Sequence, residues 1–309
     1  MRIAVVGAGG TGGFFGGLLA RAGEDVTFIA RGSHLGAIQD RGLTVKSRFV
    51  GDFTVKARAT DDPVEVGPVD VVLFCVKAYD TETAAARMRP LVGPGTVVLP
   101  VQNGIDSAER IGRLVTPDAV IGGVAVVSAV IETPGVIDHR SVANRIQFGE
   151  LAGGTSPRTE RLLPVLRQAG IKAELRVDIR VALWEKFVQI CAFSGLTALT
   201  RLPLGPLRSC PETHELFRGT LQEVDAVGRA EGVALPADTV EAAMALFASG
   251  PPDLRGSLYY DLAAGRRLEV DTLNGTAVRL GRARGVPTPL NFAIYAALKP
   301  YAAGAPASS

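Results

Sequence analysis

Short apolar runs alternate with stretches of helical spacing along the first half of the chain. The apolar runs predict β-strands at residues 3–6, 26–29, 69–76, 96–101 and 120–127. Helical spacing predicts one helix that begins in the glycines at 7–12 and reaches residue 22, and others at 81–91, 107–114 and 159–168. The valine-rich run at 69–76 is typical of a parallel strand buried on both faces. Strands that alternate with helices at this spacing indicate βαβ units, and hence a parallel, doubly wound sheet.

Weaker strand patterns lie outside this alternation. Residues 43–45 and 53–57 predict a hairpin or an additional strand pair. Further short runs predict late strands at 136–139, 145–148 and 172–176.

The pattern changes after residue 177. Helical spacing continues at 179–200, 211–231, 237–247, 257–264 and 270–284, with almost no strand candidates among them. Closely spaced prolines interrupt two of the connections. The sequence therefore predicts an α/β fold. An N-terminal Rossmann-type, doubly wound parallel sheet (1–177) precedes a C-terminal all-helical domain (178–303) and a short tail (304–309).

Composition narrows the class of protein. The 309 residues are 47% hydrophobic and 21% charged, which is typical of a globular protein with a large core. A net charge of +2 without runs of like charge argues against a nucleic acid or a membrane surface as partner. The chain enters its first strand directly and holds no apolar run long enough to span a bilayer, so we expect a cytoplasmic protein.

The cysteines and histidines do not form a metal-binding pattern. Cys75, Cys191 and Cys210 are odd in number and far apart, so we expect buried core thiols in a reducing compartment. The three histidines, at 34, 139 and 214, are equally scattered, and we expect no protein-bound metal.

A glycine-rich loop lies between the first strand and the first helix. Gly7, Gly9 and Gly12 fit the pattern G-x-G-x-x-G, with Gly10 and Thr11 between them. In this context the first glycine permits a tight turn, the second lets the backbone approach a pyrophosphate, and the third lets helix and strand pack closely. The N–H groups at the start of the helix then face the anion. The loop therefore predicts a dinucleotide site.

The end of the second strand discriminates between two cofactors. NAD-binding proteins place an acidic residue there, which accepts a hydrogen bond from the ribose 2′-hydroxyl. This chain has Arg31 instead, whose planar guanidinium suits a 2′-phosphate. NADP(H) is therefore favoured over NAD(H). Lys77 and Asn103 follow two later strands, at the sheet edge where such folds bind ligands, and we expect both to contribute to cofactor binding.

Taken together, these stretches resemble the ketopantoate reductase (2-dehydropantoate 2-reductase) family over nearly the whole chain. The matching segments are Gly7–Gly12, Ala30-Arg31-Gly32, Cys75-Val76-Lys77, Gln102-Asn103-Gly104, Trp184-Glu185-Lys186-Phe187, Ser257-Leu258-Tyr259-Tyr260-Asp261-Leu262 and Glu269-Val270-Asp271-Thr272-Leu273-Asn274-Gly275. The resemblance implies that NADPH binds the first domain and that a small 2-oxo acid is the substrate. It implies that Lys186 is the general acid and that Glu269 acts near either the cofactor ribose or this lysine. It also implies that Asn103 and Ser257 contact the substrate.

The chain departs from the family pattern on the helix that carries the lysine. The family's reductase has asparagines four and eight residues after the lysine, whereas this chain has Ile190 and Ser194. These positions share one helix face with Lys186, so Ser194 is a candidate substrate contact and Ile190 makes the face more apolar. Gln189 is placed to compensate in part, and Leu254 is apolar where a further asparagine is expected.

The sequence thus predicts an NADPH-dependent reductase of a small 2-oxo acid, either ketopantoate or a close, more apolar analogue. Two alternatives remain open: a dehydrogenase of another hydroxy acid or amino-acid derivative, and a non-catalytic NADP(H)-binding sensor. The joint presence of Lys186, Glu269 and Ser257 argues against the sensor. A homodimer is compatible with this interpretation.

Overall fold

The computed structural model describes residues 1–306, and the chain divides into two units. Unit 1 comprises Met1–Gln102 and Asp106–Ile179, and unit 2 comprises Asn103–Ile105 and the chain from Arg180 onward. The pattern change after residue 177 thus lies two residues before the point where the structure divides. The three-residue segment Asn103–Ile105 belongs to unit 2 although its sequence neighbours belong to unit 1.

Within residues 1–306 all strands lie in unit 1, where they form two sheets. In the described residues they are β1 (Arg2–Val6), β2 (Asp25–Ile29), β3 (Leu43–Lys46), β4 (Phe53–Val55), β5 (Arg58–Thr60), β6 (Val71–Phe74), β7 (Val97–Pro100), β8 (Gly122–Thr133), β9 (Val136–Gly149) and β10 (Lys172–Leu175). The first sheet is parallel with the order β5-β2-β1-β6-β7, so the predicted doubly wound parallel sheet is confirmed. The second sheet has the order β10-β9-β3-β4, with β8 also paired to β9.

The second sheet differs from the sequence prediction. The strand expected at 120–127 as part of the parallel alternation is instead the start of β8, which pairs antiparallel with β9. The two late strands expected at 136–139 and 145–148 are the two ends of β9. Gly135 lies in the reversal between β8 and β9 with a φ of +83°, which a residue with a side chain rarely adopts. The predicted pair at 43–45 and 53–57 is confirmed as antiparallel β3 and β4.

Twelve helices are present in the described residues. They are α1 (Gly10–Arg21), α2 (Gly32–Arg41), α3 (Thr81–Arg87), α4 (Ser107–Gly112), α5 (Pro157–Gln168), α6 (Ile179–Thr200), α7 (Leu204–Ser209), α8 (Pro211–Ala230), α9 (Thr239–Ser249), α10 (Ser257–Ala263), α11 (Asn274–Arg284) and α12 (Pro289–Leu298). The sequence analysis missed α2, α7 and α12. Helix α2 contains two glycines and its N-cap, Arg31, makes no side-chain capping bond, so it carries little local helix signal.

Helix α11 is shorter than predicted. Helical spacing starts at residue 270, but the helix begins at Asn274 because Leu273 has a non-helical backbone with φ −94° and ψ −103°. The preceding residues form turns in which the N–H groups of Thr272 and Leu273 both donate to the carbonyl of Glu269, at 3.1 Å. The segment that presents Glu269 is therefore a fixed turn and not a helix.

Part of the segment that the sequence predicts to be a tail is hydrogen-bonded to unit 2. The Leu268 N–H donates to the Ala302 carbonyl at 3.1 Å, and the Ala305 N–H donates to the Gly265 carbonyl at 3.1 Å. Residues 304 and 305 of the predicted tail are thus hydrogen-bonded to the body of unit 2. Residues 307–309 of that predicted tail lie outside the described residues.

The three cysteines are free thiols with different surroundings. Cys191 is buried in the core of unit 2, as expected, whereas Cys75 is only partly buried. Cys210 does not belong to a core: it is partly exposed and its thiol donates to the Glu212 carboxylate at 3.1 Å. The expectation of a core thiol is wrong for this residue because it precedes a helix at the surface. No helix in residues 1–306 is both long and apolar enough to cross a membrane.

Helix α1 lies between the two sheets of unit 1. Its aromatic residues Phe14 and Phe15 are fully buried in a core built from residues of both sheets. Alternate residues of β1 face opposite cores: Ile3 belongs to the core that contains α1, and Ala4 belongs to the core on the other face of the parallel sheet. Both faces of the sheet are therefore covered, as a doubly wound sheet requires.

Two glycines of unit 1 allow a matched test of this packing. A β-carbon at Gly12 would overlap the Gly7 carbonyl oxygen, whereas a β-carbon at Gly36 in α2 would have no atom within 4 Å. We expect Gly12→Ala to destabilise the protein by about 1–3 kcal/mol because the helix must move away from β1. We expect Gly36→Ala to stabilise it by about 0.5–1 kcal/mol. Urea unfolding followed by circular dichroism measures both, and equal effects would contradict the packing argument.

Candidate functional site

The glycine loop connects β1 to α1 and leaves the helix N-terminus uncapped. Gly7 has a φ of +94°, and its β-carbon would lie 2.9 Å from Val76, so neither its conformation nor its surroundings admit a side chain. Gly9 is the N-cap of α1 and makes no side-chain capping bond. No atom lies within 4 Å of the place where a β-carbon of Gly9 would be, so the loop has free space at this point. This geometry suits an approaching anion.

The other residues of the loop differ in what they contact. Gly12 packs against the Gly7 carbonyl, which agrees with the close helix–strand packing expected of it. Gly10 faces the opposite sheet, where a β-carbon would overlap the carbonyl of Ala129 in β8. The absence of a side chain at Gly10 therefore allows α1 to pack closely on β8. The N–H of Gly10 lies in the first turn of α1. Thr11 is half-buried beside it.

Arg31 lies at the N-cap of α2, directly after β2, with 83% of its side chain exposed. Its guanidinium contacts the Asp80 carboxylate at 3.2 Å. Asp80 ends a short 3-10 turn, Ala78–Asp80, which follows Lys77 and the parallel strand β6. The structure thus brings Arg31 close to the Lys77 loop, and it also brings in an acidic group that the sequence analysis missed. Asp80 follows β6, and β1 lies between β6 and β2 in the sheet, so the sequence at the end of β2 gives no sign of this acid.

Lys186 lies in the second turn of α6 and is half-buried. Burial lowers its pKa to about 8 from the ordinary 10.5, and the carboxylate of Glu269 opposes this shift. Glu269 itself is 3% exposed. An ammonium and a carboxylate are therefore held close together in unit 2, and the ammonium releases its proton more readily than an exposed lysine does.

Asn103 joins this pair. Its side-chain amide donates to the Glu269 carboxylate, with Nδ2 and Oε2 3.4 Å apart. Asn103 belongs to the three-residue segment of unit 2 that follows β7, so the loop after a parallel strand supplies a residue to the lysine–glutamate pair. The structure thus brings together three of the residues that the sequence analysis selected.

Two serines of unit 2 carry buried hydroxyls. Ser194 lies on α6 and is 1% exposed, and Ser257 is the first residue of α10. In residues 1–306 neither hydroxyl oxygen has a hydrogen-bond partner. Gly256 brings the two helices together, because its β-carbon would lie 2.5 Å from the Ser194 hydroxyl. Both hydroxyls can therefore form further hydrogen bonds, since a buried polar group is normally satisfied by a partner.

Ile190 lies one turn after Lys186 on α6. It is half-buried and packs against the hydrophobic core of unit 2. Gln189 next to it is also half-buried. The position at which the resemblance implies an amide thus carries an apolar side chain in this protein. In residues 1–306 no three His, Cys, Asp or Glu side chains are grouped so as to hold a metal ion.

Comparison with known proteins defines the family. The model of the family "Ketopantoate reductase PanE/ApbA" matches residues 3–153, and the model of its C-terminal part matches residues 178–302. The chain belongs to the ketopantoate reductase family. The resemblance seen in the sequence motifs is thereby confirmed, and the family is one of pyridine-nucleotide-dependent oxidoreductases that act on a small keto acid.

Individual relatives cover almost all of the chain. A 2-dehydropantoate 2-reductase of Mesorhizobium japonicum is 31% identical, over 97% of each chain. The "Uncharacterized oxidoreductase YkpB" of Bacillus subtilis is 30% identical, over 98% of this chain and 99% of its own. The crystal structure of a PanE/ApbA family ketopantoate reductase from Ralstonia eutropha superimposes with a TM-score of 0.90 at 36% identity, over 98% of each chain. This protein is therefore an oxidoreductase similar to 2-dehydropantoate 2-reductase.

The lowered pKa of Lys186 has a consequence for stability. Between about pH 8 and the ordinary pKa of 10.5, the folded protein has released this proton while the unfolded chain retains it, so this lysine's contribution to stability rises with pH across that window. At pH 7 the charged group destabilises the fold, and the lowered pKa already includes its attraction to Glu269. We expect Lys186→Met to raise the free energy of unfolding at pH 7 by about 1–3 kcal/mol.

Urea unfolding at several pH values checks this expectation. The gain from Lys186→Met should shrink as the pH rises above about 8, because the wild-type lysine then becomes neutral in the folded state. Lys172→Met, at an exposed position of β10, serves as the control and should change stability little at any pH. A gain that is independent of pH would contradict the argument.

Proposed function

We propose that this protein reduces the carbonyl group of a small 2-oxo acid, ketopantoate or a close analogue, with NADPH as reductant and Lys186 as general acid. The observation that carries the proposal is the lysine–glutamate pair of unit 2, in which burial lowers the pKa of Lys186 to about 8. A general acid works best when its pKa is close to the working pH. An exposed lysine would hold its proton too tightly.

Lys186 and Glu269 have different roles in this reaction. The bound reduced cofactor supplies the hydride that reduces the substrate's carbonyl carbon. The Lys186 ammonium donates a hydrogen bond to the carbonyl oxygen, stabilises the negative charge that develops there, and transfers its proton to give the hydroxyl. Glu269 raises the pKa of Lys186 and so keeps it protonated near pH 7, and solvent then restores the proton.

The remaining residues are assigned to substrate or cofactor according to their positions in the two units. The hydroxyls of Ser194 and Ser257, buried without partners in residues 1–306, donate to oxygens of the acid. Asn103, which contacts Glu269, hydrogen-bonds to substrate or cofactor beside the reacting carbon. In unit 1 the loop at 7–12, with Gly7, Gly9, Gly10, Thr11 and Gly12, holds the pyrophosphate.

Arg31 and Lys77 favour NADPH in this proposal. Both follow parallel strands of the same sheet, and Arg31 exposes most of its side chain, so a 2′-phosphate can reach the guanidinium. A 2′-phosphate bound at Arg31 would displace the Asp80 carboxylate, because a more highly charged anion makes the stronger charge-assisted hydrogen bonds.

The pKa of Lys186 also supports the reverse reaction as a second candidate. With a pKa of about 8, a large fraction of this lysine is neutral in mildly alkaline solution. A neutral amine accepts a proton from a substrate hydroxyl, as the oxidation of a hydroxy acid requires. Reduction should therefore be faster below about pH 8 and oxidation faster above it.

Turnover tests the role of Lys186. We expect Lys186→Ala to lower kcat by about a hundred- to ten-thousandfold and to change the affinity for NADPH only a few-fold, because the lysine acts on the developing alkoxide. Absorbance of the reduced nicotinamide, followed with a panel of 2-oxo acids, measures this. Lys172→Ala is the control. If the alanine variant keeps most of its kcat, Lys186 is not the acid. If the wild type neither oxidises NADPH with any of the 2-oxo acids nor reduces NADP⁺ with the corresponding hydroxy acids, the result favours a non-catalytic sensor over a reductase.

Cofactor preference tests Arg31 and Asp80. We expect wild type to bind NADPH more tightly than NADH and Arg31→Ala to lose about ten- to a hundredfold of that preference. Asp80→Asn should strengthen NADPH binding, because the phosphate then displaces no carboxylate from Arg31. Fluorescence titration with both cofactors gives the dissociation constants. Arg41→Ala, at the other end of α2, is the control. Equal affinity of the wild type for the two cofactors would contradict the assignment.

The apolar position after the lysine tests the substrate. Ile190 cannot hydrogen-bond the distal hydroxyl of ketopantoate, so we expect weak activity on it, with a loss of about 1–3 kcal/mol in kcat/KM relative to a site with an amide. Trimethylpyruvate, which is ketopantoate without that hydroxyl, should react at least as well. Ile190→Asn should shift the preference towards ketopantoate. Measuring kcat/KM for both acids on both proteins decides this, and efficient wild-type reduction of ketopantoate would assign the contact to another group.

A further inference from the structure

His34 lies in the first turns of α2, three residues after Arg31, and is half-buried. Its two ring nitrogens contact two different segments of unit 1. Nε2 lies 2.8 Å from the carbonyl oxygen of Ala8, in the middle of the glycine loop. Nδ1 lies 3.0 Å from the N–H nitrogen of Gly135, in the turn between β8 and β9. The ring of His34 is thus held by a backbone group on each side.

These two contacts fix the form of the ring. The Gly135 N–H can only donate, so Nδ1 must be the unprotonated acceptor. The Ala8 carbonyl can only accept, so Nε2 carries the hydrogen. The ring is therefore neutral with its proton on Nε2, and burial lowers the pKa of His34, which favours this neutral form.

The Ala8 contact determines the direction of the next N–H group. Its carbonyl points towards His34, and in a trans peptide the N–H of the following residue points the opposite way. That N–H belongs to Gly9, and within residues 1–306 it donates to no backbone carbonyl. It points away from His34 at the residue that has free space and caps α1.

The Gly135 contact anchors the ring from the other side. The Gly135 carbonyl accepts from the Thr44 N–H of β3 at 2.9 Å, so the turn is held to the second sheet. A β-carbon at Gly135 would lie 3.0 Å from Ala37, so the turn also packs closely on α2. The imidazole therefore connects the glycine loop to a turn that is itself fixed at two points.

We propose that His34 is a positioning residue for the cofactor: it orients the Ala8–Gly9 peptide so that the Gly9 N–H faces the diphosphate of the dinucleotide. His34 itself does not touch the cofactor. This inference rests on the proposed cofactor site of unit 1. It assigns a function to a histidine that no sequence motif selected.

Cofactor titration with three variants tests the proposal. We expect His34→Ala to weaken NADPH binding by about tenfold or more, because the Ala8–Gly9 peptide is then free to rotate away from a charged ligand. We expect kcat at saturating NADPH to change only a few-fold. Glutamine offers one donor and one acceptor on a single side chain, so His34→Gln should bind NADPH within about threefold of wild type. His214→Ala, at an exposed histidine of unit 2, is the control.

A pair of inhibitors separates positioning from general damage to the fold. 2′-Phosphoadenosine-5′-diphosphoribose contains the diphosphate, and adenosine 2′-phosphate does not. His34→Ala should weaken the first and leave the second within about twofold, whereas Arg31→Ala should weaken both.

Three results would overturn the inference: tight NADPH binding by His34→Ala, equal losses for both inhibitors, or an equal loss in the glutamine variant. Wild-type protein that binds neither NADPH nor NADH would instead contradict the proposed function, and the inference with it.

Discussion

The close approach of helix α1 to two sheets at once is the constraint on which unit 1 depends. Residues 10, 12, 13 and 16 are all glycine, and a β-carbon at any of them would overlap either a neighbouring strand or, at residue 12, the carbonyl of Gly7 in the preceding loop. Because the helix must fit between the sheets, its position fixes the loop that precedes it. The motif that the sequence associates with a cofactor is therefore largely a packing motif, and the open space at Gly9 is what remains for a ligand.

The sequence predicted those strands and helices whose hydrophobic pattern is contained in their own residues. The parallel strands could be predicted directly, since burial on both faces leaves a continuous apolar run, and helix α6 has the bounds predicted for it. A strand at 120–127 was predicted, but its pairing could not be, because only its partner distinguishes a parallel strand from an antiparallel one. The Arg31–Asp80 pair joins the loops of two strands that lie far apart in sequence. Spacing along the chain contains no information on such a contact, and the same is true of both His34 hydrogen bonds.

The segment after residue 268 shows how one motif divides between function and structure. Glu269 turns towards Lys186, while Asn274 in the same motif is fully buried and donates to the Cys191 carbonyl and to Asn291 at 2.9 Å. Asn291 in turn donates to Glu223, so this network connects four helices of unit 2. The motif selected both residues equally. Only the structure separates the residue that contacts the site from the one that holds the helices beneath it.

Some polar groups of unit 2 lower the stability of the free protein, and a suitable ligand would remove this effect. The Lys186 ammonium is desolvated, and the Ser194 and Ser257 hydroxyls have no partners in the described part of the chain. All three are hydrogen-bond donors, so the matching ligand presents several acceptors, as a carboxylate next to a carbonyl does. Ile190 adds no donor, which limits how much further polarity the ligand can carry. Under the proposed function, stabilisation of unit 2 should therefore depend on the acid, because these donors match a compact oxo acid with an apolar tail.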